Sequence, residues 1–108
     1  MVEPTDNAVA IVRRYVEALE REGIHLEKAL LFGSYARGDA RDTSDIDVAL
    51  VSNDFAGRRY SDREKLYSPT FAVDWRIDPL PYRPEDFDES DLLVKEILAT
   101  GIEIPCGE

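Results

Sequence analysis

Between Asp6 and Glu22 the apolar residues Val9, Val12, Val16 and Leu19 recur every three or four positions, which stripes one face of a helix and predicts an amphipathic helix there. Gly23 follows as its stop. Lys28 to Phe32, KALLF, is an apolar run of strand length that breaks off at Gly33-Ser34. From Asp45 to Val51 the period becomes two: Ile46, Val48 and Leu50 face one way, Asp45 and Asp47 the other, which predicts a strand with a wet end. Residues 52 to 69 are crowded with charge, Gly and Pro and read as a long loop holding one helical turn near Asp62 to Leu66. Alternation returns from Thr70 to Asp78. There a strand is predicted with Phe71, Val73, Trp75 and Ile77 in the core and Ala72, Asp74, Arg76 and Asp78 on the other side. Pro79, Pro81 and Pro84 end it. A closing helix is predicted from about Glu89 to Ala99, with Leu93 and Ile97 inward and Gly101 as its stop.

Composition narrows this picture. The chain has 108 residues, 44% of them hydrophobic, enough for one domain spanning 1–108 around a single core. With 23 acidic against 13 basic side chains the net charge is −10, which repels phosphate backbones, makes direct nucleic-acid binding unfavourable and favours a basic protein partner. The same excess also serves solubility. Cys106 has no partner for an intrachain disulfide, so a reducing cytoplasm is the expected location. The N-terminal stretch MVEPTDNAVA lacks the basic start and apolar run of a signal peptide, and no segment approaches the roughly 20 apolar residues of a membrane span.

The chemistry concentrates in FGSYARGDARDTSDIDVAL, residues 32 to 50. Residues two apart on a strand point the same way, so Asp45 and Asp47 hold two like charges in one small volume. A divalent cation relieves that repulsion, and hard carboxylate oxygens suit Mg²⁺, which keeps its remaining positions for water and substrate phosphates. Two ions about 4 Å apart would clamp the attacking and leaving oxygens of a phosphoryl displacement. A third carboxylate is wanted from a neighbouring strand. Of Asp74 and Asp78 the mid-strand Asp74 is preferred, because Asp78 beside Pro79 is explicable as a strand terminator; the alternative for Asp74 is a solvated face or an ion pair with Arg76. Gly33 lets the backbone approach a ligand closely. Ser34 either bonds a phosphate oxygen or caps a short helix, and Arg37 either neutralises a triphosphate or pairs with Asp39. Ser44 is placed to orient the start of the next strand. His25, the only histidine, is expected on the surface, and Tyr35 either packs or faces the nucleotide. Arg58, Arg59 and Lys65 are expected to be solvated.

Gly33-Ser34, ten intervening residues and then Asp45-Ile46-Asp47 resemble the GS-x10-DxD signature of the nucleotidyltransferase superfamily that includes DNA polymerase β. The wording GSYARG followed by SDIDV is similar to the minimal nucleotidyltransferase (MNT) domains of prokaryotes. The leading helix, PLPYRPEDF and VKEILATGIEI extend the resemblance. It implies an α/β (α+β) fold, a short mixed β-sheet flanked by helices, and transfer of a nucleoside monophosphate from ATP or another NTP to a hydroxyl. By it Asp45, Asp47 and Asp74 hold the metals, with Asp74 helping to activate the acceptor, and Gly33 and Ser34 grip the triphosphate. SDREKLYSPTFAVDW departs from it, being shorter and more proline-broken than the helix usual before the third carboxylate. With little chain left for a second substrate pocket, the resemblance further implies a HEPN-domain partner, for which such proteins act as antitoxin by AMP transfer to a side-chain hydroxyl or by binding alone. Transfer to a small hydroxylated molecule is the remaining alternative. Self-association is left open.

Overall fold

A computed structural model describes residues 4–41 and 44–107. Asp42 and Thr43, within the ten-residue spacer of the signature, and the first three residues of the N-terminal stretch lie outside them.

The leading stripe forms α1 (Pro4–Arg21), which buries Ala8, Ile11, Val12, Tyr15, Val16 and Leu19. Proline suits the first turn, where its missing N–H has no partner to lose. Gly23, at φ 91°, carries the chain out of the helix. Next come β1 (Leu26–Phe32), the four-residue α2 (Ser34–Arg37) and β2 (Ile46–Ser52). The rest is α3 (Arg59–Val73), β3 (Ile77–Tyr82), a 3-10 turn at Pro84–Asp86, α4 (Leu92–Thr100) and β4 (Ile102–Ile104). Asp91 caps α4, its carboxylate accepting from the N–H groups of Leu93 and Val94.

The strands form one mixed sheet in the order β3-β2-β1-β4, with β2 and β3 parallel and the other two pairings antiparallel. β2 is central and covered on both faces. Ile46, Val48 and Leu50 join the cluster under α1 and α3, while Ala49 and Val51 join a second cluster with Val94 and Ile97 of α4. Asp47 therefore belongs to the α4 side of the sheet, at the end where Phe32 is its neighbour on β1.

Three expectations are corrected. The strand predicted over Thr70–Asp78, and the loop before it, are instead the 15-residue α3 followed by a short turn and β3. The core stripe of α3 is Asp62, Leu66, Pro69 and Thr70. It has helical spacing but only one strongly apolar member, so apolar periodicity could not show it. Asp62 is buried because its carboxylate accepts from the N–H groups of Ala56, Gly57 and Arg58 at 2.8, 2.9 and 3.0 Å. Tyr15 of α1 and Thr70 share a buried hydroxyl contact of 2.8 Å. With α3 fixed in this rotation Phe71 and Trp75 are exposed, not core.

Second, Pro79 and Pro81 do not end the strand but lie inside β3. An outer strand tolerates this, because prolines two apart remove donors from one edge only and leave the ladder to β2. Third, Ile97 faces inward as expected, with its neighbour Val94, but Leu93 is 39% exposed and is not an inward residue of α4.

Candidate active site

The chain leaves β1 through Gly33 at φ 76° and ψ −150°, a conformation in which a side chain would be strained. A Cβ placed there would also overlap the Asp47 carboxylate. The strand-to-helix turn is thus pressed directly against the second acid of the DxD pair, and only glycine fits. Gly33 itself occupies the N-cap of α2 with no side-chain capping bond, so Ser34 is the first helical residue rather than the cap. Gly38, in the left-handed region at φ 85°, closes α2 by donating its N–H to the Ser34 carbonyl. Tyr35 packs: it is buried, its hydroxyl donating to the Arg41 carbonyl at 3.3 Å and lying 3.5 Å from Arg76 Nη1. Ser44 orients the approach to β2, its Oγ accepting from the Arg41 N–H at 2.8 Å.

The parallel ladder sets Ile46 opposite Ile77 and Asp47 opposite Asp78. Register partners on adjacent strands present their side chains to the same face, so Asp78 stands beside Asp47. Asp45 is exposed just before β2, and the Ile46 N–H next to it donates to the Arg76 carbonyl at 2.9 Å. Burial first, and then the charges of Asp78 and Asp45, push the Asp47 carboxyl up to about 6, while Arg37 draws it down. Arg37 also lies with its Nε 3.5 Å from Asp39 Oδ2 on the surface, the pairing considered for it.

Asp74 is not brought to this group. It is the C-cap of α3, and its oxygens accept from Arg76 N–H, Nε and Nη2 at 2.9, 3.1 and 3.0 Å. The Arg76 side-chain bonds are the main reason its carboxyl is held below the usual range, and it is not among the groups that shift Asp47. The expected mid-strand position does not exist, because the strand begins three residues later. The acid aligned with the pair is Asp78. Sequence alternation carried the signal for this, since Asp78, Leu80 and Tyr82 alternate with Ile77, Pro79 and Pro81 once the strand is read through the prolines.

Arg63 of α3 escaped notice entirely. Its Nη2 donates to Asp78 Oδ1 at 3.1 Å, and only the helical course of α3 reveals the contact. His25, as expected, is on the surface, its Nδ1 3.2 Å from Asp54 Oδ2.

Among the described residues no three carboxylate, imidazole or thiolate groups form a ready-made metal cluster. The donor chemistry nonetheless fits a hard divalent cation. Asp78 and Asp45 are the charges that raise Asp47, and carboxylate oxygens are the hard donors that such a cation takes; the Asp47 carboxylate itself fills the space that a side chain at Gly33 would need. Asp78 is held by the Arg63 guanidinium.

The nucleotidyltransferase domain profile matches residues 12–103, the span from the middle of α1 to β4. A candidate nucleotidyltransferase of known crystal structure from Sulfolobus solfataricus superposes with a TM-score of 0.67 at 26% identity, covering 94% of this chain and 82% of that one. No curated protein sequence matches. No helix among the described residues is long and apolar enough to cross a membrane. The small α+β architecture with its four-stranded mixed sheet is that of a nucleotidyltransferase, and the chain belongs to the nucleotidyltransferase domain family, whose members transfer nucleotidyl groups.

Proposed function

We propose that this chain moves AMP from ATP onto a hydroxyl of a partner protein, and that it does so with magnesium, as the antitoxin of a HEPN-type toxin. The observation that carries the reading is the register of β2 against β3, which sets Asp47 beside Asp78 while the Gly33 turn presses on Asp47. Asp45 and Asp47 hold the metal, and Asp78, rather than Asp74, completes the site. Gly33, Ser34 and Arg37 bind the triphosphate: Gly33 by allowing close approach, Ser34 through its hydroxyl, Arg37 through its charge. Magnesium, when bound, supplies the positive charge that offsets the triphosphate and makes the attacking hydroxyl more acidic. The acceptor oxygen bonds to the α-phosphorus, the α–β bridge breaks, and pyrophosphate leaves. Asp78 takes the proton of the attacking hydroxyl.

Incubation with α-labelled ATP, Mg²⁺ and a HEPN-domain protein recovered with the chain from its native cell should place label on that partner, and Asp45→Asn should abolish it. An unlabelled partner, or transfer at full rate by the variant, contradicts the reading. The Arg63–Asp78 pair favours one other reading, a module that neutralises its partner by covering it, with the nucleotide site vestigial. Equal protection by wild type and Asp45→Asn in a growth assay would select that second reading.

A further inference from the structure

The solvent face of α3 is more apolar than its core face. Opposite the buried Asp62, Leu66, Pro69 and Thr70, the residues Tyr60, Tyr67 and Phe71, and Trp75 just beyond the helix, are 87%, 52%, 69% and 72% exposed. Spacing of seven and four positions keeps Tyr60, Tyr67 and Phe71 on one stripe of the helix, and Trp75 follows in the turn after it. The Tyr67 and Phe71 rings lie together, with centroids 6.4 Å apart. Ser68 and Ala72, both exposed, follow on the same side and leave small gaps beside the rings. Glu64 is the one charge along the middle of the stripe. A helix face rich in aromatics and poor in charge has the composition of an interface core.

We propose that this face is the contact between two copies of the chain, packed with their α3 helices antiparallel about a twofold axis. Area is the first argument. At these exposures the four rings present roughly 400–700 Å², in or above the range of the largest patch usual on a monomer and half or more of the roughly 800 Å² per partner that a stable pair buries. Shape is the second. An axis near the middle of α3 sets the Phe71 ring of one copy over the Glu64–Ser68 gap of the other and brings Tyr60 toward the second Trp75, so the rings fill gaps in a self-complementary way.

Charge is the third argument. Arg58 to Arg76 contains five basic and three acidic side chains, a net +2, leaving eight basic and twenty acidic, −12, for the rest of the chain. Two copies that repel each other elsewhere meet here with Glu64 as the one acid on the contact, and Arg58 and Arg59 at the start of each α3 meet the acidic remainder of the other.

Sedimentation velocity on the whole chain tests this. The wild type should pass from monomer to dimer with rising concentration, and its single tryptophan, Trp75, should shift its emission to the blue over the same range. Phe71→Glu, at an exposed position that leaves the core intact, should weaken the dimer by about 30-fold or more, with an unchanged circular dichroism spectrum. Should that variant misfold, Trp75→Ser, outside the helix, replaces it with the same expectation for sedimentation. Leu93→Glu, on the exposed side of α4, should leave the dimer intact. A wild type still monomeric at about 0.5 mM, which would assign the face to a different protein, overturns the proposal. So does a dimer that survives Phe71→Glu, or one that Leu93→Glu disperses.

Discussion

Asp47 is costly to the fold that carries it. Its carboxyl is pushed up to about 6 by burial and by Asp78 and Asp45, so the metal-free native state binds a proton more tightly than the unfolded chain does. The stabilisation associated with that proton is complete below the ordinary carboxylate range and is lost as pH rises through about 6. Asp47→Asn should therefore melt higher than wild type in chelator, and the gap should widen from about pH 4 to about pH 7. Thermal melts of both proteins across that range check it. Asp74 and Asp78 divide in the opposite sense. Asp78→Asn should abolish nucleotidyl transfer with little effect on stability. Asp74→Asn should leave transfer in place and cost about 2 kcal/mol, because it weakens the bonds of a largely buried carboxylate to Arg76. Transfer assays and urea titrations of the pair decide which acid serves the site.

At the scale of elements, α3 explains both what the sequence revealed and what it hid. α1, β1 and β2 were legible because each buries a run or stripe of apolar residues, Gly33 because its turn admits no side chain, and Asp45 and Asp47 because they fall at the spacing of the signature that the sequence resembles. In α3 the core face is held by an aspartate, a proline and a threonine while the aromatics point outward, so the strongest apolar signal marked the wrong side. Misreading that helix as a strand carried Asp74 into the site and placed Trp75 in the core. β4 went unnoticed because three residues give no period; its evidence is the pairing of Ala29 with Ile104. If Asp62 anchors the loop into α3, Asp62→Ala should cost roughly 3 kcal/mol, since three backbone N–H groups lose a charged acceptor. Urea denaturation should show the midpoint falling accordingly.

Across the whole molecule the sheet is the organising body. α1 and α3 cover one face, and α4 with the 3-10 turn covers the other. Asp47 and Asp78 stand side by side because β2 and β3, the one parallel pair among the described strands, are joined by α3 as the crossover that parallel neighbours require. The carboxylates thus depend on long-range register and not on local sequence, which is why the third of them could not be assigned from the motif alone. The proline pair in β3 has a last consequence. The outer rim beside the site offers too few amide hydrogens to template a foreign strand, and the opposite rim is only the three residues of β4. Zippering of an extended peptide onto the β3 edge, the rim that carries Asp78, is therefore disfavoured.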